Sequence, residues 1–431
     1  MDNEPKNSKP TRSTRHQGKL ESRNARKARK ASQTSGVFGR IKWRRVVFAV
    51  IALLAVATGV VGARVYHNLK TAADDSYKAS GVKKSRDVSK ALKQGKPISI
   101  LLMGTDTGAL NRPADDARTD SMMVVTINPK TNKTTVTSIE RDIVTAVPGY
   151  ENLFPQKMNA AYTDGGVKAT IKTIQKYLNV PIDYYALVNM NGIQEIVNKL
   201  DGLKVVSPLT FTYNPDEENT SAQTVYSFTK GKSAYKKSTD NGVTWKTYQK
   251  LDGEAALAFS RMRYDDPEGD YGRQKRQRLV VQAIVDKAKS NPTKLVNAKF
   301  LSAMSDSAQT DLTFNDLMTI VEKYIGAAGN ITQDHLQGTE VSLAGQSFQI
   351  ASYTEKQRIT NKLRKQLGLT KAETGSLYAG EVSDTTLSLY GLVSDAQAKA
   401  NATAESTTSS STTTTTGTVT GTATSTTSTG Q

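Results

Sequence analysis

The chain is predicted to be an α/β protein, a mixed central β-sheet sandwiched by helices, with one N-terminal transmembrane helix and disordered tails. Three observations carry that expectation. Between residues 98 and 206, apolar runs of strand length alternate with segments whose apolar residues recur at helical spacing. Residues 46–63 contain no charge. Both ends of the 431-residue chain are polar and compositionally biased.

Residues 1–42 are basic and poor in large apolar side chains, and are expected to be a disordered cytoplasmic tail. Val46–Ala63 would form a helix about 27 Å long, near the minimum for a bilayer span. Trp43 and Tyr66 flank it as interfacial aromatics, which sets the span at 43–66. The 14 Lys/Arg against 3 Asp/Glu in residues 1–45 put the N-terminus inside the cell and residues 67–431 outside. Ala55-Val-Ala57 resembles a cleavage site, so a removed signal peptide competes with a retained anchor. The long basic region, and an apolar run that continues past that site, favour the anchor.

Residues 67–96 read as a stalk. Ile98–Met103 is a buried strand ending in Gly104-Thr-Asp106. Ser121–Asn128 and Thr134–Ile139 are strands joined by the turn Pro129-Lys-Thr-Asn132. Val167–Leu178 places Val167, Ile171, Ile174 and Leu178 on one helix face. Pro181–Val188 is a strand, a second helix carries Ile193, Ile196, Val197 and Leu200, and Leu203–Val206 is a further strand. Residues 210–250, polar and aromatic, suit an elaborated hairpin. Leu312–Ile325 and Glu355–Leu367 read as helices flanking late strands in Val341–Ser352. This divides the outer region into a main domain at 97–290 and a C-terminal part at 291–400 packed on it. The tail at 401–431, in which 21 of 31 residues are Ser or Thr, is expected to be disordered.

Of the formal +18 charge, +11 lies in residues 1–45, leaving 18 − 11 = +7 for the rest. The excess belongs to the tail, so the fold itself is not expected to bind nucleic acid. With no cysteine, the outer domain relies on its core, and disulfide scaffolds and thiolate zinc sites are excluded. His16, His67 and His335 lie away from every motif, which argues against a His-based triad. Chemistry must rest on Asp, Arg, Lys and hydroxyls.

The densest concentration of such groups is Arg261–Arg278, with six cations and four carboxylates in eighteen residues. If Ala255–Phe259 is a strand that Arg261 and Arg263 terminate, both guanidiniums point to one face. If Asp270–Lys289 is a helix, Arg273 and Gln277 share a face, with Lys275 and Arg278 round the side. Guanidiniums gathered at a helix start suit bidentate recognition of phosphate oxygens. A solvated loop with internal salt bridges is the plainer alternative. Asp106 and Asp120 sit at neighbouring strand ends and could hold Mg²⁺ or Mn²⁺ with phosphate oxygens completing the shell; each taken alone is more simply a turn former. Arg141 and Lys157 follow the hairpin and open a helical region, where a structural salt bridge and ordinary capping are the plainer roles.

Together these segments resemble the LytR-CpsA-Psr family of Gram-positive bacteria, over about Ile98 to Asp286. The matching pieces are Ile100-Leu-Leu-Met-Gly-Thr-Asp106, Arg118-Thr-Asp-Ser-Met-Met-Val-Val-Thr-Ile-Asn-Pro129, Ser138-Ile-Glu-Arg-Asp142, Lys157-Met-Asn-Ala-Ala-Tyr162 and the Arg261–Arg278 block. The resemblance implies that 97–290 is a catalytic domain. It implies a phosphotransferase that moves a glycopolymer, such as teichoic acid or capsular polysaccharide, from an undecaprenyl pyrophosphate carrier to peptidoglycan through a phosphodiester. Asp106 and Asp120 then match Mg²⁺-associated aspartates, and Arg141, Arg261 and Arg263 pyrophosphate-binding arginines. Arg273 and Gln277 match further head-group contacts. Arg118, Lys157 and Arg276, cations inside the matched segments, join them as candidate substrate contacts. The family's lipid tail lies in an apolar tunnel, for which the faces of 167–178 and 193–200 are candidates here, though such stripes also make plain core. The base for the acceptor hydroxyl stays open between Asp106, Asp142 and a carboxylate of the 265–270 loop. Expected partners are the polyprenyl pyrophosphate-linked polymer, peptidoglycan and membrane lipid. Two other classes remain: a polyprenyl pyrophosphate phosphatase, and a non-enzymatic surface protein that holds anionic polymers.

Overall fold

The computed structural model describes residues 67, 70, 71, 73–107, 117–215, 224–290 and 307–411, all within one compact unit, His67–Gln431. The expected tail 1–42, membrane segment 43–66 and the tail beyond 411 lie outside the described residues. No helix among the described residues is long and apolar enough to cross a membrane.

The central sheet is mixed. Its strands are β1 (Ile98–Thr105), β2 (Thr119–Asn128), β3 (Lys133–Ile139), β6 (Tyr184–Val188), β11 (Ala308–Thr310) and β12 (Ile331–His335), in the order β11-β6-β1-β2-β3-β12. β1 is parallel to β6 and β3 to β12, while the other neighbours are antiparallel. Helices cover both faces, so both sides of the inner strands are apolar, as the continuous runs in the sequence require. On one face Leu101, Met103, Met122 and Val124 pack with Ile171, Ile174 and Leu178 of α2 (Ala160–Leu178) and Ile359 and Leu363 of α7 (Tyr353–Gln366). On the other, Ile98 and Ile100 meet Val88 and Leu92 of α1 (Val88–Lys93) and Leu317 and Ile320 of α6 (Phe314–Lys323). Part of the expected stalk is therefore core. Arg86 fastens it further, donating from Nε to Asp183 Oδ1 at 2.7 Å.

The expected turn Pro129–Asn132 joins β2 to β3, with Asn132 in the left-handed region (φ 49°) and its N–H donating to Pro129 O at 3.4 Å. After α3 (Met190–Lys199), the excursion at 210–250 forms a second, antiparallel sheet of β7 (Phe211–Tyr213), β8 (Val225–Phe228), β9 (Tyr235–Ser238) and β10 (Lys246–Tyr248). Phe211, Phe228 and Tyr235 bury one face of it with Phe259.

Four expectations change. Ala255–Phe259 is not a strand but lies in α4 (Gly253–Arg261), because Asp252 caps it by accepting from Ala255 N and its Ala-rich sequence favours helix. Leu203–Val206 forms no strand, only a single bridge from Leu203 to Leu251. Residues beyond 290 do more than pack on the main domain: β11 and β12 complete both edges of its sheet. The Ser/Thr-rich tail begins inside a helix, α8 (Asp395–Ser411), started by the alanine-rich run Asp395–Ala404. The expected helix at 270–289 is present as α5 (Gly269–Ser290).

Candidate active site

A cavity of about 420 Å³ opens where β1, β2, α3, α4 and α5 converge. Its polar wall carries Asp106, Asp120, Arg141, Arg261, Arg263, Arg273 and Gln277, and its apolar wall Met190, Ile193, Leu257, Val280, Val281 and Ile284. Along α5 the lining passes from Arg273 and Gln277 to Val280, Val281 and Ile284, so one hollow holds both charged and greasy side chains.

The acidic pair sits there through strand geometry. Gly104 pairs with Ser121 and Thr105 with Thr119, so Asp120 is the extra residue of a β-bulge, re-aimed at the rim. A Cβ at Gly104 would lie 2.6 Å from Ser121 Oγ, so a larger residue there would make that hydroxyl turn away. Asp106 follows β1, its N–H donating to Arg118 O at 3.4 Å, and its Oδ1 accepting from Arg118 N at 3.2 Å. The Arg118 side chain is exposed and does not line the cavity; its backbone, not its charge, serves the site.

The cations form a fan. Arg141 donates from Nη1 to Asp120 Oδ1 at 2.6 Å and places Nε 3.5 Å from Asp142 and 3.9 Å from Asp270. Arg263 Nε lies 3.7 Å and Arg273 Nη2 2.5 Å from the same Asp270 Oδ1. Burial works against the Asp270 charge, yet Arg273 and Arg141 hold its pKa below the usual carboxylate range. Burial likewise opposes the Arg141 charge, and Asp120, Asp270 and Asp142 outweigh it, so Arg141 stays protonated. Arg261, aimed by the last turn of α4, has no carboxylate partner among the described residues; its Nη1 meets only Met190 Sδ, at 3.1 Å. Arg141 Nε, Arg273 Nε and Gln277 Oε1 are buried without a hydrogen-bond partner among the described residues. Unsatisfied buried groups are costly, and the two guanidinium N–H donors are ones an anionic guest could satisfy, whereas the Gln277 oxygen asks for a donor.

Other expected contacts fall elsewhere. Arg276 is fully buried away from the cavity: its Nε donates to Phe259 O at 3.0 Å, Nη2 to Met262 O, and Nη1 pairs with Asp266. It ties the end of α4 to α5 and is out of reach of a substrate in the cavity. Lys157 does not line the cavity either; its Nζ reaches Asp142 Oδ1 at 2.9 Å and so supports the fan indirectly. The apolar face of 167–178 is core, while Ile193 of the second candidate face does reach the cavity.

Several participants were not singled out from sequence. Asp270 was only one of the carboxylates in the 265–270 loop, yet three arginines converge on it. Glu140 lies beneath the fan, and burial, with Asp270 and Asp142 adding to it, lifts its pKa to about 7. Tyr213, Asn214 and Pro215 of the second sheet close one side of the cavity. The oxygen donors Asp106 and Asp120 suit a hard cation such as Mg²⁺ or Mn²⁺. No group of three or more His, Cys, Asp or Glu among the described residues could hold a metal unaided, so a bound ion would depend on ligand oxygens and water.

The chain matches the model of the LytR_cpsA_psr family over residues 63–365. It is 37% identical over 322 residues to the polyisoprenyl-teichoic acid–peptidoglycan teichoic acid transferase TagU of Enterococcus faecalis, covering 75% of this chain and 96% of that one. A solved structure from Streptococcus agalactiae superposes with a TM-score of 0.56 at 35% identity, covering 68% of this chain and 94% of its own. The structure of TagT bound to LIIa-WTA gives a TM-score of 0.51 at 26% identity, covering 68% of this chain and 98% of its own.

Proposed function

The chain belongs to the LytR-CpsA-Psr family, and from that premise we propose that it is a phosphotransferase joining a teichoic acid or capsular type glycopolymer to peptidoglycan. The donor is the polymer on a polyprenyl pyrophosphate carrier. The observation that carries this reading is one cavity lined by four arginines, two aspartates and a row of aliphatic side chains that continues along α5. A lone phosphate needs no greasy wall, and a lone lipid needs no arginine fan.

Phosphoryl transfer depends chiefly on positioning and on stabilising charge at the non-bridging oxygens. Arg261, Arg263, Arg141 and Arg273 would bind the pyrophosphate oxygens, with Arg261 the cation least committed to the protein. Met190, Leu257, Val280, Val281 and Ile284 would receive the first isoprene units and exclude water. Asp106 and Asp120 would hold Mg²⁺ or Mn²⁺, which when bound adds positive charge beside the phosphates. The acceptor hydroxyl oxygen forms a bond to the sugar-bound phosphorus. The bond from that phosphorus to the bridging oxygen breaks, and polyprenyl phosphate leaves with the electron pair. Asp142 is engaged by Lys157 and Arg141, and Asp270 by three arginines. Asp106 lines the cavity wall, and we assign it the acceptor proton as well as a share of the cation.

We place the protein in the cell membrane through the segment at 43–66, with this domain outside, where carrier and peptidoglycan meet. The direct test is mass spectrometry of lipid co-purifying with the full chain from a Gram-positive host. A polyprenyl phosphate or pyrophosphate should be bound in the wild type and lost in Arg261→Ala with Arg263→Ala. Equal recovery of that lipid from both proteins would refute the assignment.

A further inference from the structure

The fan needs a fixed origin, and the fold supplies one that never touches the cavity. Glu140 follows β3, is only 1% exposed and is absent from the cavity wall. Gln274 Nε2 donates to Glu140 Oε2 and, at 3.0 Å, to Asp270 Oδ2. The other oxygen of Asp270 faces Arg273, Arg263 and Arg141 at 2.5, 3.7 and 3.9 Å. On its second oxygen Glu140 accepts from Asp142 N at 3.4 Å, at the residue that also meets Arg141 and Lys157. A chain of contacts therefore runs from Glu140 through one amide to the carboxylate on which three guanidiniums converge.

Gln274 is the one neutral side chain among the described residues that donates a hydrogen bond to Asp270, and Glu140 is its other acceptor. Without Glu140 the amide turns, and Asp270 keeps its charge but loses its fixed rotamer. The longer Arg263 and Arg141 contacts would shift first, whereas Arg273 sits three residues away on the same helix. Charged or titratable groups facing Glu140 are Asp142 from the β3 side and Asp270, Tyr271 and Arg273 from α5.

We propose that Glu140 is a positioning residue that sets the spacing of the arginine fan, and through it the affinity for a diphosphate. The inference rests on the reading above of the cavity as a prenyl pyrophosphate site. Its mechanism needs an acceptor facing Gln274, not a negative charge, so an amide whose oxygen faces Gln274 should replace it, giving up only the 3.4 Å contact from Asp142 N.

The experiment titrates the full-length protein in detergent with geranylgeranyl pyrophosphate by calorimetry, comparing wild type, Glu140→Leu and Glu140→Gln. Glu140→Leu should raise Kd roughly tenfold at unchanged stoichiometry, as for loss of a group that orients a binding residue. Glu140→Gln should stay within about threefold of wild type, well short of that loss. A merely structural role predicts lowered stoichiometry with unchanged Kd, and that result overturns the inference. So does a Glu140→Leu Kd within twofold of wild type, or equal losses in both variants. Should Glu140→Leu fail to fold, Gln274→Leu cuts the same link and must give the same tenfold rise. Absence of binding by the wild type would count instead against the cavity assignment.

Discussion

Arg261 stands apart from its neighbours because no carboxylate among the described residues pairs with it. Arg141, Arg263 and Arg273 each face a carboxylate, whereas Arg261 meets a thioether. Replacing it with Ala should lower transfer on the order of 10²-fold or more, the usual cost of one electrostatic donor at a developing charge; steady-state rates with a lipid pyrophosphate donor check this. Glu140 gives a second test, on stability. Its folded pKa of about 7 lies above the ordinary 4.5, so burial favours the protonated form. That contribution is fully present below pH 4.5 and is lost as pH rises through 7, on the order of 3 kcal/mol in all. Thermal melts should show wild type losing stability across that window relative to Glu140→Gln. Seven of the ten expected site residues line the cavity: Asp106, Asp120, Arg141, Arg261, Arg263, Arg273 and Gln277. Strand ends make Asp106 and Asp120 legible, and helical spacing Arg273 and Gln277, whereas Arg141, Arg261 and Arg263 rest on the family resemblance, since Arg261 ends a helix and not the expected strand. Arg276 was not legible, because whether a helical arginine turns to the cavity or to the Met262 carbonyl depends on a loop fold that spacing does not encode. Glu140 was hidden for a related reason: a Glu beside an Arg reads as a surface pair until α5 covers it.

At the scale of elements, α5 gives the site its two characters. Arg273 and Gln277 lie toward its start, and Ile284 lies about 10 Å farther along, at 1.5 Å per residue. Ile284→Asn should therefore weaken binding of geranylgeranyl pyrophosphate about 5- to 30-fold, for roughly 1–2 kcal/mol of lost burial, yet leave inorganic pyrophosphate unaffected. Competition binding with the two ligands distinguishes these outcomes. α4 aims Arg261 and depends on its cap and on close packing. At Gly253 an added Cβ would lie 2.4 Å from Gln194 O, which fixes how tightly α4 crosses α3. Asp252→Ala should cost about 1 kcal/mol of stability, measured by denaturant unfolding, and loosen the aim of Arg261. The sequence suggested a strand here because Ala255–Phe259 is short, apolar and followed by charges. Its alanines and capping aspartate were the better guide, since they act locally, whereas apolar run length alone does not separate a buried helix from a strand.

For the whole molecule, the sheet is legible in its middle and not at its edges. β1, β2, β3 and β6 are long or strongly apolar, while β11 and β12 are short and only partly buried, and become strands by pairing with β6 and β3. A chain ending at residue 290 should consequently expose both edges and aggregate, as size-exclusion chromatography would report. The proposed topology places the cavity outside the cell; protease added to intact protoplasts should digest the domain at 67–431 and spare the N-terminal tail. The central claim is transfer itself. Full-length protein, with Mg²⁺, a polyprenyl pyrophosphate-linked teichoic acid precursor and peptidoglycan as acceptor, should form a phosphodiester-linked product and release one polyprenyl phosphate per polymer joined. Release of polyprenyl phosphate with only free phosphorylated polymer, or ligation at an undiminished rate by Arg261→Ala, would contradict it.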